Sequence, residues 1–144
     1  MIYSVGHSVV PLEEFVALVT GAGIDLIADI RRFPRSRRHP HFARANLERE
    51  LPIGYEWLGE ELGGFREGGY EEWMRSADFK RGIERLEHLA AEHTVAFMCA
   101  EGVPWKCHRL YVARALASRG HSVGHLLPGG RIEVEPVPLT PPGP

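Results

Sequence analysis

Apolar positions along this chain fall into short runs that alternate with helical stripes. Residues 2–5 form a brief β-prone run that stops at Gly6-His7-Ser8, which predicts a first strand. Pro11 then opens a helix to about residue 20, with Phe15, Leu18 and Val19 on one face and Gly21 and Gly23 ending it. Residues 24–30 predict a second strand, with Asp29 and Arg31 at its end. So short a strand–helix–strand return implies a parallel pair and a right-handed crossover.

Residues 33–42 read as a loop broken by Pro34 and Pro40, and a short helix over about 43–51 follows until Pro52 closes it. A third strand is predicted at residues 55–58, then a glycine-rich loop from Leu62-Gly63-Gly64 to Gly68-Gly69. A long helix is expected from Glu71 to about Ala91, with an interruption near Ser76, and Phe79, Ile83, Leu86 and Leu89 keep its helical period. Residues 94–99 are apolar on both faces, as befits a central parallel strand covered by helices on each side. A helix from residue 106 or 107 to about 118, a strand at 122–127 and a last strand at 131–137 complete the pattern. The alternation predicts an α/β fold, a three-layer α/β/α sandwich with a mostly parallel sheet, Rossmann-like. Residues 1–135 are expected to form a single α/β domain, and the proline-rich tail at 136–144 is expected to be disordered.

Composition narrows the class. At 144 residues and 44% hydrophobic content the chain can fill one core without disulfides or a structural metal. Two cysteines are too few for a secreted disulfide scaffold and imply a reducing compartment. No basic leader followed by a long apolar run is present, and no run reaches membrane-spanning length. A cytoplasmic protein with no membrane partner is therefore expected. The formal net charge of −2 conceals a cluster of Arg31, Arg32, Arg35, Arg37, Arg38 and Arg44 interleaved with His39 and His41.

In open parallel sheets the ligand crevice lies outside the carboxyl ends of the strands. Applied here, that rule gathers His7 and Ser8, Asp29 and Arg31, Cys99 and Glu101, and His125 at one edge, beside the Cys107-His108-Arg109 triplet. A helix start favours an anion or a thiolate, so Cys107 is a candidate nucleophile, or else a small buried hydrophobe in line with Leu110 and Ala113. Arg109 gains nothing from the dipole at that end of a helix and is better explained by an anion or by Glu101. Glu101 is either a general acid or base or the group that orients Arg109. Asp29 is either an acid–base group or a structural cap for the arginine-rich loop. His7 favours function, because a histidine at a strand exit is poorly explained by packing. Cys99 reads first as core, with a transient disulfide to Cys107 left to geometry. The arginine segment is either a solvated charged loop or a contact for phosphates and bases, with Phe33 and Phe42 as apolar anchors. His7, Cys99, Cys107, His108 and His125 lack the spacing of a zinc motif, and no metal site is assigned. Neither a dinucleotide fingerprint nor a P-loop is present, so no cofactor is specified.

Ser4-Val5-Gly6-His7-Ser8, Leu26 through Arg31 with Pro34 and Ser36, Leu62-Gly63-Gly64, Met98-Cys99-Ala100-Glu101 and Cys107-His108-Arg109 occur in that order. Together they resemble the bacterial and archaeal family known as domain of unknown function 488, from Ile2 to about Leu127. The resemblance implies an α/β fold and a shared polar site and lends no activity; departures at Ala28 and Ile30 are apolar and spare the charged positions. The first functional expectation is an enzyme acting on a phosphate-bearing or nucleic-acid-derived substrate. In it His7, Asp29, Glu101 and Cys107 supply the chemistry, while Ser8, Arg31, Cys99, His108 and Arg109 hold an anionic ligand. The alternatives are a non-catalytic nucleic-acid-binding or adaptor module that uses the arginine loop, and a cysteine-based redox or metal-binding protein.

Overall fold

Alternation along the strands decides which side chains meet which helices. The computed structural model describes residues 1–35 and 38–136, with Lys106 by its backbone only. Strands β1 (Ile2–Gly6), β2 (Leu26–Asp29), β3 (Gly54–Trp57), β4 (Val95–Cys99), β5 (Val123–Leu126) and β6 (Ile132–Val134) form one sheet in the order β3-β2-β4-β1-β5-β6. All neighbours are parallel except β5 and β6. Helices α1 (Leu12–Gly21) and α2 (Arg44–Glu50) belong to one layer, and α5 (Ala77–Glu92) and α6 (Arg109–Ser118) to the other. The architecture is thus the α/β sandwich that the sequence pattern predicts, on a mixed sheet with one antiparallel pair.

Successive strand residues point to opposite faces, and β4 is buried on both. Val95, Phe97 and Cys99 pack with Ile83 and Leu86 of α5 and Val112 and Leu116 of α6, whereas Ala96 and Met98 join Phe15 and Val19 of α1 and Leu47 of α2. The continuous apolar run at the centre of the sheet follows from that double coverage.

The interruption expected near Ser76 is present, and one boundary differs from the pattern reading, both for local reasons. The helix expected from Glu71 is two helices, α4 (Tyr70–Trp73) after the single turn α3 (Gly59–Leu62), and then α5. Ser76 separates them, because its hydroxyl accepts the Phe79 N–H (3.1 Å) and caps α5. The last helix begins at Arg109 rather than at Cys107, since Pro104–Lys106 forms a short 3-10 turn first and His108 is the N-cap. The last strand runs antiparallel because a tight turn returns the chain at once, with Gly129 and Gly130 at φ of 89° and 92°.

Two features of this topology build the site. Neighbouring β1 and β4 send their connections to opposite faces, β1 into α1 and β4 into α6. Their carboxyl ends therefore frame a crevice, the switch point at which such sheets take ligands. The pairing also continues past the strands: His7 N–H donates to Cys99 O (3.0 Å), Ser8 N–H to Ala100 O (2.9 Å) and Ile30 N–H to Met98 O (3.0 Å). Gly6 permits the β4 exit loop to cross here, since a Cβ on it would lie 1.5 Å from the Glu101 carbonyl oxygen. Among the described residues no helix is long and apolar enough to cross a membrane. The tail expected at 136–144 lies outside the described residues from 137 onward, as do Ser36 and Arg37.

Candidate functional site

The crevice is an open cleft of about 820 Å³. Of the residues singled out from sequence, His7, Ser8, Arg31, Cys99, Glu101, Cys107 and His108 line it, together with Arg32, Arg35 and Arg38 of the arginine segment. Asp29 and Arg109 do not line it; both are fully buried next to residues that do.

Asp29 ends β2 and its carboxylate is an acceptor for four donors. Arg31 supplies its backbone N–H (3.1 Å), Nε (2.8 Å) and Nη2 (2.7 Å), and the Tyr55 hydroxyl, one strand away, supplies the fourth (2.5 Å). Burial, then the adjoining carboxylate, keeps the Tyr55 phenol protonated and donating. The third Arg31 nitrogen, Nη1, faces His7 Nε2 at 3.4 Å. This geometry suits the capping alternative for Asp29, with the carboxylate holding a guanidinium at the cleft wall.

His7 stacks on Phe42 (centroids 4.3 Å apart, planes at 18°) and donates from Nδ1 to the Ser8 carbonyl (2.8 Å), leaving Nε2 as the acceptor toward Arg31. Burial pulls its pKa down to about 4, and the Arg31 charge works in the same direction. The imidazole is therefore neutral at physiological pH. Its folded pKa lies below the unfolded value of about 6.5, so the unfolded chain takes up the extra proton between those values, and stability is lost as pH falls from about 6.5 to 4. We expect that loss to be smaller by about 3 kcal/mol in His7→Gln, read from urea unfolding across that window. Equal acid sensitivity in both proteins would contradict the assignment.

In the same lining, Cys107 sits between the 3-10 turn and α6. Its sulfur accepts the Arg109 N–H (3.5 Å) at the helix start and lies 3.4 Å from His108 Nδ1. His108 Nε2 donates to the Ile30 carbonyl (3.1 Å), so the ring presents Nδ1 to the sulfur. The buried Cys99 thiol donates to the Glu101 carbonyl (3.7 Å). The Cys99 hydrogen bond and then the His108 hydrogen bond and charge bring the Cys107 thiol down to about 4, against the opposing effect of burial. Burial pushes the Cys99 thiol well up. Of the two free cysteines, the half-buried Cys107 is the thiolate and the fully buried Cys99 the protonated thiol.

Arg109 points inward on the face of α6 that carries Val112 and Ala113. It is completely buried, its charge acts on Cys99, and Nε, Nη1 and Nη2 have no hydrogen-bond partner among the described residues. Glu101, exposed in the cleft lining, does not pair with it.

Several groups at the site escaped the sequence reading. Tyr70, whose ring lies 5.3 Å from that of His108, and Phe65 line the cleft, and Gly64 packs on His108: a Cβ there would sit 3.1 Å from Nδ1. The Leu62-Gly63-Gly64 motif was the available signal. His125, gathered to the edge by the sequence rule, instead bonds Ser4 Oγ (2.5 Å) and Glu135 (2.9 Å) away from the cleft lining. Among the described residues no three His, Cys, Asp or Glu side chains converge to hold a metal ion.

Residues 11–116 match the family described as domain of unknown function DUF488, a span that includes Asp29, Arg31, Cys99, Glu101 and the Cys107-His108-Arg109 triplet and begins after His7 and Ser8. No curated protein and no solved structure matches the chain.

Proposed function

Because the chain belongs to the DUF488 family, whose description names no reaction, we propose its function from the site alone: a thiolate-dependent enzyme that transfers or hydrolyses a phosphate-bearing group. The observation that carries this reading is the Cys107 sulfur at the cleft, set between His108 Nδ1 and the Arg109 N–H. Arg31, Arg32, Arg35 and Arg38 in the same lining supply the cationic groups that a phosphate ester needs.

In the proposed step the Cys107 proton already resides on His108 Nδ1, so that sulfur and ring form an ion pair at rest. The thiolate attacks phosphorus, an S–P bond forms and the P–O bond to the leaving group breaks. The leaving oxygen takes the His108 proton. Water then attacks phosphorus, the S–P bond breaks, and the water proton returns to His108 or to Glu101, the exposed carboxylate in the lining. Arg109 acts through its field, a fixed positive charge in a low-dielectric setting that favours negative charge at the sulfur and at the phosphate. Residues 1–135 are taken as the functional domain, and two free thiols suit a reducing cytoplasm.

The test is alkylation. Iodoacetamide is expected to modify Cys107 at a nearly constant rate from about pH 5 to 8, phosphate to slow it, and Cys99→Ser to move the titration upward. An apparent pKa near 8.5, that of an ordinary thiol, with no protection by phosphate would end the proposal.

The presence of both free cysteines in the cleft lining favours one second reading, thiol–disulfide exchange. Cys107 would attack a substrate disulfide and release one thiolate, and Cys99 would displace the other, leaving a Cys99–Cys107 disulfide and a reduced substrate. Under that reading Cys99→Ser accumulates a mixed disulfide; under the first it does not. The adaptor alternative draws on the same arginines, since Arg35 and Arg38 are exposed and line the cleft.

A further inference from the structure

Two phenylalanines stand at the mouth of the cleft where an apolar ring is costly to expose. Phe33 is 62% and Phe65 84% accessible, although their rings contact at 6.2 Å between centroids with a 34° tilt. Phe65 has φ of 60°, and Ser8, also in the cleft, is the one other non-glycine residue with positive φ among the described residues. Local strain of this kind persists where surrounding structure holds it. The restraint is Arg32: Nη1 donates to the Phe65 carbonyl (2.5 Å) and the guanidinium carbon lies 5.3 Å from the centre of the Phe33 ring. The pair is also close to the reacting groups, because Gly64, next to Phe65, packs on His108, and Phe33 lies two residues from Arg31.

A ligand that satisfies both ends has a flat π-face for the phenylalanines and a negative charge for the arginines and the helix start. An apolar chain would use the rings and leave the cationic groups idle; a sugar phosphate would do the reverse. A cleft of about 820 Å³ has the size of a small-molecule site. We propose that Phe33 and Phe65 form a base-stacking subsite, so that the substrate of the reaction above is a mononucleotide. This rests on the reading of the cleft as a phosphate site.

Binding is measured calorimetrically with AMP, UMP, ribose 5-phosphate and inorganic phosphate on wild type, Phe33→Ala and Phe65→Ala. Stacking tolerates any base, so both nucleotides are expected to bind about 10-fold or more tightly than ribose 5-phosphate. Each alanine should remove most of that margin and leave inorganic phosphate affinity unchanged, which also reports an intact fold. The proposal is overturned if neither nucleotide exceeds ribose 5-phosphate, or if both alanine variants keep the margin. It is overturned as well if a single-stranded oligonucleotide binds far more tightly than AMP, since that points to an extended strand as the ligand. Failure of the phosphate-site reading is distinct: inorganic phosphate would then neither bind nor protect Cys107.

Discussion

Arg109→Met is expected to raise the stability of the ligand-free protein by about 1–4 kcal/mol and to abolish its stabilisation by phosphate. The guanidinium is fully buried with three nitrogens lacking a partner among the described residues. Removing an ion of this kind from water costs several kcal/mol even after the protein relaxes, and a methionine of similar volume forgoes that cost while keeping contacts with the apolar face of α6. Wild type should regain about 2.7 kcal/mol at a phosphate concentration 100 times Kd, because a ligand that binds only the folded state stabilises by mass action. The variant should show little of that gain. Thermal unfolding with and without phosphate reads both effects. A variant that is less stable than wild type and keeps its phosphate response would mean that Arg109 supports the fold and nothing more.

Asp29→Ala has the opposite sign. Removing the carboxylate leaves the Arg31 guanidinium, itself only 7% exposed, without its principal counter-charge and strips four donors of their acceptor. We expect a loss of about 3–5 kcal/mol in urea unfolding. Adding Arg31→Met should recover part of it, giving a coupling energy of about 0.5–3 kcal/mol between the two positions. The comparison also separates the two roles open to Asp29. A proton-transfer residue would lose turnover with stability nearly intact, whereas a residue that positions Arg31 loses stability first. A cost under about 1 kcal/mol would rule out the positioning role.

Much of the site was legible because its residues occupy positions that local rules mark. Gly6-His7-Ser8, Asp29-Ile30-Arg31 and Cys99-Ala100-Glu101 each close an apolar run, and the ends of parallel strands are where a ligand crevice forms. Their relations were not legible. The four donors on Asp29 include Tyr55, 26 residues along the chain, and His108 is oriented by a carbonyl 78 residues away. The sequence already read Cys99 first as core and Cys107 as a candidate nucleophile, but how deeply each is buried and which groups bond the Cys107 sulfur came from the fold.

By itself the sequence determined the alternation of strands and helices, the double burial of β4 and the set of polar residues at the strand ends. These depend on spacing within one element, where a period of two or 3.6 residues already separates buried from exposed faces. Only the tertiary structure decided that β4 lies between β2 and β1, that β6 turns back antiparallel, that Gly64 packs on His108, and that the Arg109 guanidinium has no hydrogen-bond partner among the described residues. Strand order follows from how crossovers pack on the two faces. A missing hydrogen bond is a property of every atom around a group, and neighbours so distant along the chain leave no period in the sequence.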